Sequence, residues 1–223
     1  MRSEVVKWLK PPSPCLNRSF AAVRRRVQAR AASARVLDLG SGGRFIHENV
    51  ISLDLLREGH LSVIADSAHL PFKSGAFSFI LCTAVLEHVT DVASTLQEIE
   101  RCLAVDGEIY VDVPFMQPFH ADPNDFRRFT LIGLRQILRA YEPVDSGVSV
   151  GPCSGLAMYL RKIPASCFHG VAAMAVEAVA GWLTFWLKYL DYFMPMTRNS
   201  HGVASAIFFH GRRIVDPGRN RVG

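Results

Sequence analysis

Three acids close successive apolar runs near the start of this chain. Asp38 lies within Val36-Leu37-Asp38-Leu39, Asp54 ends the run Val50-Ile51-Ser52-Leu53, and Asp66 follows the apolar stretch 61–65. The first run leads straight into Gly40-Ser41-Gly42-Gly43, where glycines let the backbone bend sharply and let a ligand approach where a Cβ would clash. A second set of reactive groups lies in segment 114–130. There His120 is the candidate general base, because an imidazole can accept a hydroxyl or amine proton near neutral pH. His88, beside Glu87, is the reserve base. Asp122 or Asp125 could orient the imidazole, and Arg127 or Arg128 could hold an acceptor carboxylate or phosphate. The plainer alternative is that Asp125 and Arg128 pin the loop by an ion pair.

Such groups need a scaffold that brings them to one edge. Apolar runs at 35–39, 50–53, 61–65 and 77–82 predict four strands, and acids at or near their carboxyl ends place a ligand site at the top of a parallel sheet. Asp91 should cap a helix over 92–103, with Asp106-Gly107 turning into a fifth strand over 108–113. A helix over 131–140, a sixth strand over 143–150 and a closing strand over 204–210 complete the series. Only about a dozen residues separate Gly42 from Asp54, against roughly 20 in a dinucleotide-binding unit. The helix after the glycine turn should therefore be very short, at 44–49. A nicotinamide-dinucleotide fingerprint is disfavoured, because its third glycine position holds Phe45.

Taken in order, the glycine turn, Asp54, Asp66-Ser67-Ala68-His69-Leu70-Pro71-Phe72 and Leu86-Glu87-His88 make residues 35–139 resemble the class I S-adenosylmethionine-dependent methyltransferases of type 11. The loop from His120 to Thr130 resembles the H-x-x-P-x-D-F-x-R-F-T segment of uncharacterised and sugar-modifying bacterial methyltransferases. The resemblance implies an α/β fold, a Rossmann-like, doubly wound, seven-stranded sheet, and S-adenosyl-L-methionine as cofactor. It implies that Gly40, Ser41 and Gly42 approach the cofactor's methionine portion, with Asp38 near its amino group or orienting the turn. Asp54, with Leu55 beside it, would accept from the ribose hydroxyls. Asp66 would bond the adenine amino group, with Ser67 and Ala68 giving backbone contacts, and Cys82, Thr83 and Ala84 would line the sulfonium side. Two positions depart from the family pattern: Ser78 replaces a frequent acid, and Arg44 a frequent third glycine. The acceptor is expected to be small, sugar- or lipid-linked, and methylated on oxygen or nitrogen. The alternatives are a natural-product or quinone-like lipid methyltransferase, or a cofactor-binding partner subunit without turnover. No metal is expected, since no ligand spacing or cysteine cluster suggests one.

At 223 residues and 49% apolar, the chain suits one elaborated domain. We divide it into a basic helical extension (1–34, with Trp8 and a Pro-rich turn before a helix at 17–30), a cofactor-binding core (35–150), an apolar helical insertion (151–200) and a closing strand with tail (201–223). Six arginines and no acid occupy 18–35 within a net charge of +5. This stretch could face anionic lipid, a phosphorylated substrate or nucleic acid, or be a solvated helix face. The near absence of interleaved aromatics, Phe20 alone lying among the arginines, disfavours nucleic acid. The insertion is the other anomaly. Its stretch 168–187 approaches transmembrane length, yet Glu177 at the middle and Lys188 and Asp191 beyond argue against a span. It is read as a lid walling the acceptor site, a surface-lying membrane helix led by Trp182, Phe185, Trp186 and Tyr189, or a homodimer face. Five cysteines without pairing motifs, and no recognisable leader, lead us to expect the cytoplasm, with peripheral contact at the inner membrane face.

Overall fold

The computed structural model describes residues 10–56, 59–121, 123–194 and 200–214; Trp8 and Asp122 lie outside the described residues. Seven strands form one sheet: β1 (Val36–Leu39), β2 (Val50–Asp54), β3 (Val63–Ile64), β4 (Phe77–Thr83), β5 (Leu103–Pro114), β6 (Tyr141–Val150) and β7 (Ala206–Arg213). Their order is β3-β2-β1-β4-β5-β7-β6, with β1 to β5 parallel and β7 running antiparallel between β5 and β6. β1 is buried throughout and β4 at every residue but Ser78, as parallel strands covered on both faces must be. The chain winds outward from β1 through β3 and then returns to β4. The order therefore reverses between β1 and β4, and a crevice opens at their carboxyl ends.

Several boundaries differ from those read in the sequence. β5 starts at Leu103, directly after the preceding helix, and absorbs Asp106-Gly107 as an irregularity opposite Phe77 and Phe79. No helix forms at 44–49, where the chain crosses to β2 as loop and turn. Another element covers that face. Helix α1 (Arg18–Ala31), capped by Asn17, lays Val23, Val27 and Ala31 on Val36, Ile46, Phe79 and Tyr110. Gln28 Nε2 donates to the Ile46 carbonyl at 3.1 Å, and Asn49 Nδ2 to the Ala31 carbonyl at 3.2 Å.

The basic extension is thus one wall of the sheet, and part of its charge is consumed there. Arg30 meets Glu108 at 2.7 Å, His210 Nε2 lies 2.8 Å from the same carboxylate, and Arg26 reaches His210 Nδ1 at 3.3 Å. Burial alone would raise the Glu108 carboxyl, but hydrogen bonding to Arg30 and His210 prevails and holds it at about 2. On the opposite face, α2 (Val92–Cys102) and α3 (Leu131–Ile137) bring Ile99 and Leu134 onto Leu37, Ile80 and Val111.

The insertion folds back on itself. Helix α4 (Pro152–Ser166) receives no side-chain cap from Gly151; instead Asp191, 1% exposed, accepts from Cys153 N (2.9 Å), Ser154 N (3.0 Å) and Ser154 Oγ (2.6 Å). Gly151 is required there, because a Cβ would stand 2.4 Å from the Asp191 carboxyl. Helix α5 (Gly170–Thr184) and a 3₁₀ segment, Phe185–Tyr192, follow. Glu177 pairs with Arg161 and Lys162, both at 3.0 Å, so the acid that argued against a span is turned onto α4. The remaining face of α5 leaves Val171, Met174 and Leu183 exposed.

Candidate active site

A cavity of about 450 Å³ opens at the switch point and follows the carboxyl edge from Asp66 beyond β3 to Phe126 beyond β5. At the β2–β3 end, Asp54 Oδ2 accepts from Gly42 N at 2.7 Å and Oδ1 from Leu56 N at 3.3 Å. The acid that ends β2 therefore also fixes the glycine turn. An ionised carboxylate has about four acceptor sites, so capacity remains for ligand donors. Gly40 and Gly42 have φ of +65° and +55°, and a Cβ on Gly40 would stand 2.2 Å from the buried Val85 side chain. Asp66 Oδ1 accepts from Ala68 N at 2.9 Å, while Ser67 Oγ bonds Thr95 Oγ1 at 3.2 Å. Leu55, exposed, adds an apolar wall. Ala84 is held at φ +55°, a strained conformation beside the cavity. Ser41 Oγ and Thr83 Oγ1 line the same space, buried and without hydrogen-bond partners among the described residues. Buried hydroxyls are rarely left so, and an amino-acid-like polar ligand would satisfy both.

Two expected contacts are corrected. Asp38 does not face the cavity: it is 1% exposed, and Arg44 Nε donates to it at 2.8 Å. Burial raises its carboxyl, with the Arg44 pairing opposing that rise. Asp38 thus holds the turn through Arg44 and is not part of the cavity lining. Cys82 is fully buried in the sheet core and absent from the lining, because along β4 its side chain alternates away from the crevice; burial pushes its thiol up.

At the β4–β5 end, the loop after β5 is pinned over the loop after β4. Phe126 N donates to the Glu87 carbonyl at 2.8 Å, and Arg127 Nη2 to the Thr90 carbonyl at 2.9 Å. Arg128 grips Asp125 through both guanidinium nitrogens, with Nη2 at 2.6 Å from Oδ2, and Asp125 also accepts from the His120 backbone N–H at 2.9 Å. Hydrogen bonding to Arg128 holds the Asp125 carboxyl at about 2. Asp125 and Arg128 are therefore corrected to loop-holding partners, committed to each other and to backbone groups; Arg127 ties the loop to Thr90 through one nitrogen, and none of the three lines the cavity. His120 and His88 do line the cavity, with their rings edge to face at 5.0 Å. His120 Nδ1 stands 3.8 Å from Asp125 Oδ2.

Sequence reasoning passed over Glu87. It is fully buried, neither carboxylate oxygen has a hydrogen-bond partner among the described residues, and burial raises it to about 7. Its adjacency to His88 was the available signal. The insertion was expected to wall the acceptor site, but the cavity lining takes no residue from it. Helix α4 packs instead near β5 and β7, where a Cβ on Gly155 would lie 3.2 Å from Ser205 and 3.4 Å from the Met116 carbonyl.

Residues 46–111 match the family model of a methyltransferase domain. Over 84 residues the chain is 42% identical to an uncharacterized protein of Methanocaldococcus jannaschii; the match covers 35% of this chain and 37% of that protein, little more than a third of the relative's length. Among solved structures, a putative sarcosine dimethylglycine methyltransferase from Galdieria sulphuraria superposes with a TM-score of 0.55 at 14% identity, covering 94% of this chain and 85% of that one. The [4+2]-cyclase SpnF superposes with a TM-score of 0.53 at 18% identity, covering 87% and 82%. At such identities the likeness is one of fold, and the cyclase shows that this fold also serves other chemistry.

Proposed function

We propose that this chain, a class I S-adenosylmethionine-dependent methyltransferase by its domain match and its sheet, transfers the methyl group to oxygen or nitrogen of a small, sugar- or lipid-linked acceptor. The observation that carries the reading is the cavity at the switch point, with Asp54 and Asp66 at one end and His88 and His120 at the other. When bound, the cofactor supplies an electrophilic methyl on a positively charged sulfur. Asp54 would take its ribose hydroxyls, Asp66 its adenine amino group, and Ser41 and Thr83 its methionine portion. That methyl would be open to in-line attack by an acceptor lone pair, with sulfur keeping the electron pair of the broken carbon–sulfur bond. His120 receives the acceptor's proton, with His88 next in line.

Incubation with S-adenosylmethionine and candidate acceptors, followed by mass spectrometry for methylated product, tests turnover; a chain that binds the cofactor and never yields product would be a binding subunit. Asp54→Ala should weaken S-adenosylhomocysteine binding by about 1–3 kcal/mol, the usual loss when a charged hydrogen-bond acceptor is removed. Unchanged affinity by calorimetry removes the ribose role from Asp54.

The same proposal places the protein in the cytoplasm, at the inner face of a membrane. Among the described residues, Gly170–Tyr192 is the helical stretch long and apolar enough to span a bilayer, and almost none of it is buried. Trp182, Trp186 and Tyr189 are about half exposed at one end, the arrangement that suits a helix lying in the interface. Arg24 and Arg25 remain exposed on α1 to attract anionic lipid. Wild-type protein should float with anionic liposomes, less so in high salt, and the Trp182→Ala, Trp186→Ala double variant, left with the arginines, should float weakly at low salt and be lost from the vesicles in high salt. A wild type that never floats and sediments as a dimer would assign this face to a second copy.

A further inference from the structure

Glu87, His88 and His120 come from two loops, yet each offers one ligand atom and these atoms all lie within 4.8 Å of one another. His88 Nδ1 contacts the carbonyl of Asn124. A carbonyl only accepts, so that nitrogen carries the proton and Nε2 keeps its lone pair in the neutral ring. Nε2 is the atom that stands 3.6 Å from Glu87 Oε1. This is how metal-binding histidines are oriented: one nitrogen tied to a backbone carbonyl, the other presented to the ion. Glu87 is fully buried and neither of its oxygens has a hydrogen-bond partner among the described residues, an arrangement that costs free energy until a positive partner arrives.

We propose that Glu87, His88 and His120 bind one divalent first-row transition ion, of the zinc type, at the acceptor end of the cavity; this rests on reading that end as the acceptor's. Two imidazoles and one carboxylate favour zinc-like ions over magnesium or calcium, which prefer all-oxygen sets. They also form a three-ligand set that leaves a coordination position open for substrate. Ligand atoms about 2.0–2.2 Å from a tetrahedral ion stand roughly 3.4 Å apart, so Glu87 and His88 are already spaced for it. His120, with a side chain 45% exposed on its loop, has on the order of 1 Å to close. In the loaded protein the lone pair of His120 would be committed to the ion, and an acceptor hydroxyl or amine at the open position would release its proton to solvent more readily, as metal-bound water does; His120 serves as the base in the ion-free protein. The sequence suggested no metal because 32 positions separate His88 from His120 and no local spacing betrays the set.

Chelator-treated protein should be titrated with Co²⁺ alone, read by visible d–d absorption, and with Zn²⁺ by calorimetry. The expected result is one ion per chain, with affinity falling at least tenfold in Glu87→Gln and in His120→Ala. Because Glu87 is buried, its replacement risks the fold. His120→Ala, on an exposed loop, carries the test by itself, with unchanged S-adenosylhomocysteine binding as the check that the cavity is intact. No Co²⁺ band, or an equal band in His120→Ala, overturns the proposal. Methylated product is scored separately: product without Co²⁺ binding sinks the ion site and leaves methyl transfer standing, whereas Co²⁺ bound through these residues without product does the reverse.

Discussion

Replacing His120 by alanine should slow methyl transfer by roughly 10²–10⁴, the range for a lost general base, while leaving cofactor affinity nearly unchanged. The separation follows from topology. Asp54 and Asp66 stand at the ends of β2 and β3, whereas His120 arrives on the loop after β5, at the other end of the cavity. The loop should survive the change, because the Asp125–Arg128 pair and the Arg127 bond to the Thr90 carbonyl still hold it. Single-turnover rates measured beside S-adenosylhomocysteine calorimetry distinguish the outcomes. A rate near wild type moves the role to His88, and an equal loss in rate and cofactor affinity means that His120 shapes the cofactor site instead.

Asp191→Ala should be the most damaging single change in the insertion, at about 2–4 kcal/mol. The carboxylate is buried and accepts from two backbone N–H groups and one hydroxyl at the start of α4, and alanine leaves all three without a partner. For a chain of this size that corresponds to a fall in Tm of roughly 5–15 °C. Hydrogen exchange should show the loss concentrated over 152–192, with β1 and β4 little affected. A Tm within 1 °C of wild type would mean that solvent or a neighbouring group caps the helix equally well.

The sheet and the cofactor end were legible because their signals are local. A parallel strand buried on both faces reads as an unbroken apolar run, and each acid or glycine that meets the cavity lies within a few residues of the strand that delivers it. Asp38 and Cys82 were misjudged because proximity in sequence says nothing of which side of a strand a group takes. Arg44, six residues on, claims Asp38, and the pleat turns Cys82 into the core. What stayed hidden depends on distant segments meeting. Nothing near Arg18 announces that α1 will cover the face over Phe79, and nothing near Glu177 announces that Arg161, sixteen residues back, will pair with it. The approach of Glu87 to His120 arises from two loops that share no pattern.

The place of β7 has a consequence in time. It lies between β5 and β6, so the β5 edge from Glu108 to Pro114 has no neighbour until residues 206–213 exist. At synthesis speeds of about 5–20 residues per second, that edge stays open for roughly 5–20 s, while the apolar insertion is also being made. Glu108 waits over the same interval for His210. A nascent chain paused there presents a slot shaped for one particular strand, and the β7 of a neighbouring copy on the same messenger fits it as well as its own. Crowded expression should therefore favour strand-exchanged pairs, and slower initiation should favour the closed monomer.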